Sequence, residues 1–272
     1  MAGIGDAVGL GTRIAALSFR RYATYRAATL AGAFTNSVFG VINAYVLLAV
    51  WRANPGVGGY DAVDAVTFVW LSQGLLTVVS IWRGGADADL SDRIRSGDVV
   101  LDLQRPVSLL GWYLAADLGR AAYQLVTRGV VPVVVGALLF DLRWPHGWAV
   151  PAFLLAVLLG VVVSFSLRML VALSGFWLLD DTGLRNVLAF LAIFLSGLTL
   201  PLVLFPGVLG TIAFASPFAT YLQLPADLWL GTRSSADAWG GLGLAAAWAA
   251  VGLVVCSMVL RRATAKVVVQ GG

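Results

Sequence analysis

Few side chains in this sequence could carry out covalent or acid–base chemistry. There is one cysteine, Cys256, one histidine, His146, and one lysine, Lys266, and all 14 acidic residues are aspartates. A single cysteine excludes an internal disulfide and a cysteine-built metal cluster, and a single histidine cannot form a histidine metal site. We therefore predict that Cys256 and His146 are inert and that the chain has no metal site and no catalytic residues.

Two common catalytic signatures are also excluded. A Walker A motif needs a lysine followed by serine or threonine to hold phosphate and magnesium, but Lys266 is followed by Val267. A HExxH metalloprotease needs two histidines and a glutamate. The chain is therefore expected to bind no cofactor, and any ATP and Mg²⁺ would have to be bound by a separate protein.

The composition places the protein in a membrane. Hydrophobic residues make up 60% of the chain and charged residues 12%, against about 45–50% and about 25% in soluble domains. The net charge of +4 comes from basic residues at the ends of apolar segments, which is the positive-inside pattern and does not form a nucleic-acid patch. We expect a single multi-pass membrane domain, residues 1–272.

The apolar segments predict an all-α protein with six transmembrane helices and both termini in the cytoplasm. An interfacial segment, residues 1–27, precedes them, and a cytoplasmic tail, residues 261–272, follows the six-span region 28–260. Residues 14–26 form a basic amphipathic helix on the membrane or, equally, a solvated lead-in. The spans are expected at about residues 28–51, 63–82, 121–140, 150–178, 187–204 and 236–260.

Two apolar stretches are too long for one span. Residues 107–120 are expected at the cytoplasmic interface, where Asp117 and Arg120 can pair at i, i+3. Two full spans within residues 187–230 would place the basic C-terminal residues outside. Residues 201–230 are therefore expected to enter the membrane and return on the outer side as re-entrant helices.

Polar and small residues recur at helical spacing within the first two spans, where they either contact another helix, as we favour, or line a path. They are Gly32, Asn36, Gly40 and Asn43 in the first span and Trp70, Gln73 and Thr77 in the second. Arg128 and Arg168 fall inside the third and fourth spans, where a charge is by default a functional hypothesis. Structural pairing or snorkelling is the favoured interpretation of both arginines.

A charged segment, residues 83–106, interrupts this apolar pattern. Within it, residues 87–96 begin with acids and end with bases, and a glycine follows, which predicts a helix of two to three turns. The residues that carry the pattern are Asp87, Asp89, Leu90, Arg93, Ile94, Arg95 and Gly97. Such a helix between two spans could transmit movement from a soluble partner, and the alternative is a solvated loop.

Two short motifs give this segment a family resemblance. Residues 94–97 (IRSG) followed by residues 103–106 (LQRP) resemble the IxxG … LxRP stretch of ABC-2 type transporter permeases, in the branch that includes daunorubicin-resistance-like exporters. Residues 197–231, with SPF at 216–218 and prolines at 201, 206 and 225, are similar to the region after that family's fifth span.

The resemblance implies an exporter subunit that works with a second permease chain, identical or related, and with a separate ABC ATP-binding subunit. It implies that the charged helix is a coupling helix whose seven residues named above contact the ATP-binding subunit. Faces of spans one, two and five would meet the second permease chain or line the substrate path. These faces hold Asn36, Phe39, Gly40, Asn43, Trp70, Gln73, Thr77, Phe194 and Thr199.

The substrate implied is a hydrophobic or amphipathic molecule, such as a drug, lipid or glycan. A secondary transporter or channel that is not coupled to ATP is the main alternative, and a membrane-embedded enzyme is a weaker one. Inverted repeats would favour a carrier, and residues 28–140 show no convincing similarity to residues 150–260. A clustered polar centre would favour an enzyme, and none is visible.

Overall fold

The computed structural model describes residues 4–82, 84–104, 107–178 and 180–270, with side chains from residue 8 to residue 265. Every regular element within these ranges is helical, which confirms the all-α prediction. Arg83, Arg105 and Pro106 of the charged segment and the side chain of Lys266 lie outside the described residues.

Among the residues that the structure describes, four helices are long and apolar enough to cross a membrane. They are α2 (Arg26–Ala53), the continuous helix Leu109–Leu139, α8 (Ala149–Ser174) and α12 (Ser235–Gln270, apolar over Ser235–Ala265). Two apolar helices are shorter, α3 (Ala62–Leu75) and α9 (Thr182–Leu195). At 1.5 Å per residue each is about 21 Å long, less than the roughly 30 Å hydrocarbon core. The count of six spans therefore stays a prediction, with α3 and α9 as its two short members.

The remaining helices are amphipathic or short. They are α1 (Ile4–Ala23), α4 (Ala86–Ser96), α5 (Val99–Leu103), α10 (Gly207–Ala215) and α11 (Gln223–Leu230). Helix Leu109–Leu139 consists of α6 (Leu109–Gln124), one π-helical turn (Leu125–Gly129) and α7 (Val130–Leu139). Single 3₁₀ turns precede α3, α10 and α11.

Several predicted boundaries are wrong. The helix predicted at residues 14–26 is α1, which begins at Ile4 and ends at Ala23. The interfacial segment predicted at residues 107–120 and the third span share one helix from Leu109 onward, because α6 continues through the π turn into α7, and the division between interface and span stays a prediction. The second and fifth spans, predicted as helices to residues 82 and 204, are helical only to Leu75 and Leu195. In both, a bend with a positive φ follows, at Ser80 and Gly197.

Helix α3 is the centre of the bundle, and Trp70 is its largest buried side chain, at 0% exposure. Two glycines make room for the indole, because a Cβ on Gly40 of α2 or on Gly136 of α7 would lie 2.5 or 2.4 Å from its atoms. Gly74 packs similarly on the π turn, because a Cβ on Gly74 would lie 2.7 Å from the Gly129 carbonyl oxygen. Gly40 and Trp70 are therefore sites of close helix packing, the interpretation favoured from the sequence.

The non-helical end of α3 is stabilised by later parts of the chain. Arg120 of α6 donates to the carbonyls of Thr77 and Val78, at 2.8 Å each, and the Ser164 hydroxyl of α8 donates to the Val79 carbonyl. Buried carbonyls without a helical partner are costly unless another donor satisfies them. These bonds explain how helix α3 can end after 14 residues.

Cys256 of α12 is fully buried, and its thiol donates to the Ser166 carbonyl of α8 at 3.2 Å. Because it is the one cysteine of the chain, its reactivity reports unfolding. A maleimide is expected to leave the folded protein in mild detergent unlabelled and to label it in denaturant, as measured by the mass of the intact chain. Rapid labelling of folded protein would contradict the α8–α12 packing.

Candidate functional site

The predicted charged helix is confirmed as α4, Ala86–Ser96. Its sequence explains its limits, because acids in the first turn and bases in the last turn complement the helix dipole. Gly97 follows with φ 86°, the left-handed conformation that ends helices and that glycine adopts without strain.

One face of α4 is buried. Asp87 and Leu90 are 0% exposed, and Leu90 lies in a core cluster with Phe165 and Met169 of α8. Two of the seven residues predicted to contact an ATP-binding subunit are therefore inside the protein in this conformation. Ile94 is half-buried against Gly175, just after α8.

The other face of α4 is open. Asp89 and Arg95 are exposed, as is Gly97 after the helix. Asp89 pairs with Arg21 of α1 at 2.7 Å, and Arg93 pairs with Asp102 of α5. The exposed surface of α4 is thus continuous with α1 and α5.

Arg168 of α8 is the centre of a buried ionic network. Its guanidinium pairs with Asp87 of α4 and, at 2.8 Å, with Asp117 of α6. Its Nε donates to the Ser164 hydroxyl at 3.2 Å. Arg168 is 5% exposed and both carboxylates are 0% exposed, so water cannot replace these contacts.

Two further arginines extend the network. Arg120 bonds to Asp117 at 2.8 Å, which confirms the predicted i, i+3 pair. Arg185 of α9 bonds to Asp87 and to the Ser91 hydroxyl, at 2.9 Å each, and also pairs with Asp181.

We call this cluster the α4 network. It joins α4, α6, α8 and α9, and Arg120 also links it to the residues that follow α3. Its members are Asp87, Ser91, Asp117, Arg120, Ser164, Arg168, Asp181 and Arg185. Three carboxylates face three guanidiniums, so the network is neutral. Buried charges are tolerated only with such pairing. It attaches α4 to α6, α8 and α9, so that a displacement of α4 would also displace these helices.

Asp181, the residue that precedes α9, shows how the network favours the charged form of a carboxyl group. Burial alone disfavours a charged carboxyl, but the Ser91 hydroxyl, which donates at 2.7 Å, and the Arg185 guanidinium outweigh it and lower the pKa of Asp181. Arg95 adds positive charge 3.6 Å away. Asp181 is therefore ionised at neutral pH.

Several residues predicted to line a path or to meet a second permease chain lie inside the bundle. The Asn36 amide donates to the Gln73 carbonyl at 3.1 Å, and Gly40 packs on Trp70. Thr77 does not share a helix face with Trp70 and Gln73, because α3 ends at Leu75. The prediction of one polar face on a single helix is therefore wrong for Thr77.

The other predicted residues lie nearer the surface. Asn43, Gln73 and Thr199 line a small cavity of about 60 Å³ between α2, α3 and the segment after α9. Phe39 of α2 and Phe194 of α9 are 54% and 44% exposed. The structure thus brings residues of the first and second predicted spans together with Thr199, and their role at a substrate path or a second permease chain stays a prediction.

The residues after α9 form a second polar cluster. The Gln223 side chain accepts the Leu202 amide hydrogen at 2.8 Å and donates to Tyr60 and Asp227. Arg233 pairs with Asp227 at 2.6 Å. Beside this cluster lies a mostly apolar cavity of about 760 Å³ between α10, α11 and the start of α12. Helices α10 and α11 have 9 and 8 residues, too few to span, and their re-entrant placement stays a prediction.

A comparison with models of protein families identifies the family of the chain. The family described as ABC-2 family transporter protein matches residues 38–271, most of the chain. The chain belongs to the ABC-2 transporter family. The match covers α4, the α4 network and the segment with α10 and α11, and it confirms the resemblance seen in two short motifs. No curated protein matches the chain.

Membership of the ABC-2 family identifies the chain as a membrane subunit of an ABC transporter. The daunorubicin-resistance-like branch stays a prediction. No group of three or more metal-ligating side chains occurs in the parts of the chain that the structure describes. What sequence reasoning missed is the network itself, because Asp87 and Arg168 are 81 positions apart and no local pattern links them.

Proposed function

We propose that this chain is the permease subunit of an ATP-driven exporter in the bacterial plasma membrane, with both termini in the cytoplasm. It moves a hydrophobic or amphipathic substrate, such as a drug, lipid or glycan, and a separate ABC ATP-binding subunit hydrolyses ATP with Mg²⁺. The observation that carries the proposal is α4, which has one exposed charged face and one face fixed by buried ion pairs.

The ATP-binding subunit docks on the exposed face of α4, where Asp89 and Arg95 are accessible. When that subunit moves, it displaces α4, and the pairs of Asp87 with Arg168 and Arg185 transmit the displacement to α8 and α9. Interactions that link rigid helices in this way can couple distant sites.

A second permease chain, identical or related, pairs with this one across the apolar faces of α2 and α9, and membrane lipid covers the rest. Phe34, Phe39 and Ile42 of α2 and Phe190 and Phe194 of α9 are exposed. Exposed aromatic side chains of this density are typical of lipid or partner contact. Substrate passes between the two chains.

Charge reversal at Arg95 tests the docking face. Arg95 is exposed and more than 3.5 Å from its nearest carboxylates, so Arg95→Glu alters the surface with little effect on packing. We expect the substitution to lower the amount of ATP-binding subunit recovered with the tagged chain by about tenfold, because like charges at an interface are repelled. Transport should fall by a similar factor. Arg93→Glu is a poorer probe, because Arg93 holds α5 through Asp102.

Arg52→Glu is the matched control, because Arg52 is also exposed but belongs to the last turn of α2 and not to α4. It should leave both measurements unchanged. Equal recovery of the ATP-binding subunit with Arg95→Glu and wild type would refute docking on α4. Consistent absence of any ATP-binding subunit under mild detergent would favour a secondary transporter or channel.

A further inference from the structure

Arg128 lies deep within the helix Leu109–Leu139. At 1.5 Å per residue, its Cα is about 29 Å from the Leu109 end and about 17 Å from the Leu139 end. The hydrocarbon core is about 30 Å thick. Whether the hydrocarbon core is measured from Leu109 or from Leu139, the Cα of Arg128 therefore lies within it.

Arg128 differs from the arginines of the α4 network in its ionic contacts. No ion pair joins it to the residues that the structure describes, whereas Arg120 and Arg168 each contact buried aspartates. Its Nε is buried and forms no hydrogen bond there. A cation in hydrocarbon is costly unless an anion or another polar group satisfies it.

The position of the guanidinium is shaped by two backbone features. Arg128 belongs to the π turn Leu125–Gly129, and single π turns within α-helices often occur at functional sites. The guanidinium lies against Gly32 of α2, where a Cβ would be 2.0 Å from Nη2 and 2.2 Å from Cζ. Only glycine leaves this space open.

Apolar surface continues from this notch. Phe39 follows Gly32 by seven residues on α2, and Val131 follows Arg128 by three residues on α7, so each shares a face with its neighbour. Both are exposed, at 54% and 40%. Gly32 itself is six residues after the start of α2, about 9 Å along the axis. A lipid whose charged headgroup lies at the level of Gly32 would have its acyl chains beside Phe39 and Val131.

We propose that Arg128, held in the Gly32 notch, binds the anionic headgroup of a phospholipid-like amphiphile in the leaflet that surrounds the start of α2. The guanidinium fork bonds to the phosphate oxygens, and the acyl chains lie along the apolar surface. The site does not depend on the ATP-binding partner proposed above. It serves a bound lipid or the headgroup of a transported amphiphile, which share this chemistry.

Lipid retention tests the site. Wild type and Arg128→Gln are reconstituted in nanodiscs of phosphatidylcholine and phosphatidylglycerol in equal parts, and the lipids that stay bound are counted by native mass spectrometry. Wild type is expected to prefer phosphatidylglycerol, and Arg128→Gln to reduce that preference about tenfold, as the loss of a charged hydrogen bond implies. Arg128→Lys should retain part of it, because it keeps the charge without the fork.

Arg26→Gln is the matched control, since Arg26 is exposed at the start of α2 and its removal tests unspecific attraction to headgroups. It should keep the wild-type preference. Gly32→Ala fills the notch while keeping the charge, and it should lower the preference even if Arg128→Gln fails to fold. Retention of phosphatidylglycerol by both Arg128→Gln and Gly32→Ala at the wild-type level would overturn the proposal.

Inorganic phosphate, added at increasing concentration, identifies the source of the anion. Failure to displace phosphatidylglycerol supports a lipid headgroup whose chains contribute to binding. Displacement that is lost in Arg128→Gln supports a site that binds the free anion. Displacement equal in wild type and Arg128→Gln would place the lipid elsewhere and refute the site.

Discussion

Replacing Arg168 with methionine is expected to lower the free energy of unfolding by about 3–5 kcal/mol, the range measured when one partner of a buried ion pair is removed. Methionine approximates the volume of the arginine stem, so the loss comes mainly from charge. The network would keep three carboxylates, Asp87, Asp117 and Asp181, but only two guanidiniums. Denaturant titration in detergent, followed by Cys256 labelling, measures the change.

A second substitution separates charge from shape. Asp87→Asn added to Arg168→Met removes one charge of each sign, so the double variant should regain a substantial part of the lost stability. Arg143→Met is the matched control, because Arg143 also pairs with two aspartates but is 41% exposed. Exposed pairs contribute only about 0–1 kcal/mol. A loss at Arg168 no larger than that at Arg143 would show that the network does not stabilise the fold.

Trp70→Ala is expected to destabilise the protein by about 3–5 kcal/mol, as large-to-small changes at buried aromatic positions do. The indole fills the space between Gly40 and Gly136, and its removal leaves a cavity between three helices. Its Nε1 has no hydrogen-bond partner in the described structure, so Trp70→Phe loses no such bond and should cost less. Thermal unfolding in detergent distinguishes the two variants.

Trp144→Ala provides the comparison, since Trp144 is 52% exposed and belongs to the loop before α8. It should change the melting temperature little. The experiment also distinguishes the two interpretations of Trp70 left open by the sequence, contact with another helix and a place on the translocation path. Altered substrate preference in Trp70→Ala without loss of stability would favour the translocation path.

The parts of the fold that the sequence predicted are those with local signals. Helix α4 was predictable because Asp87, Arg95 and Gly97 obey rules that operate within a few residues. The Asp117–Arg120 pair was predictable for the same reason. The long helices followed from hydropathy alone.

The parts that the sequence did not predict depend on distant contacts. Leu75 was not recognisable as a helix end, because the residues that follow it are apolar and the donors that satisfy their carbonyls come from Arg120 and Ser164. Asp87 looked like a surface residue of a charged segment, and only its distance to Arg168 shows that it is interior. Charge along a sequence does not reveal which face of a short helix will be covered.

The dependence of Thr77 and Val78 on Arg120 also constrains how the chain enters the membrane during synthesis. These carbonyls leave the ribosome 43 and 42 residues before the arginine that satisfies them, and Ser164 follows later still. Hydrocarbon would not tolerate the open backbone in that interval. We therefore expect α3 and the residues after it to stay in a protein-lined or hydrated site until α6 and α8 have been made, so that insertion of this segment and assembly of the bundle are one event.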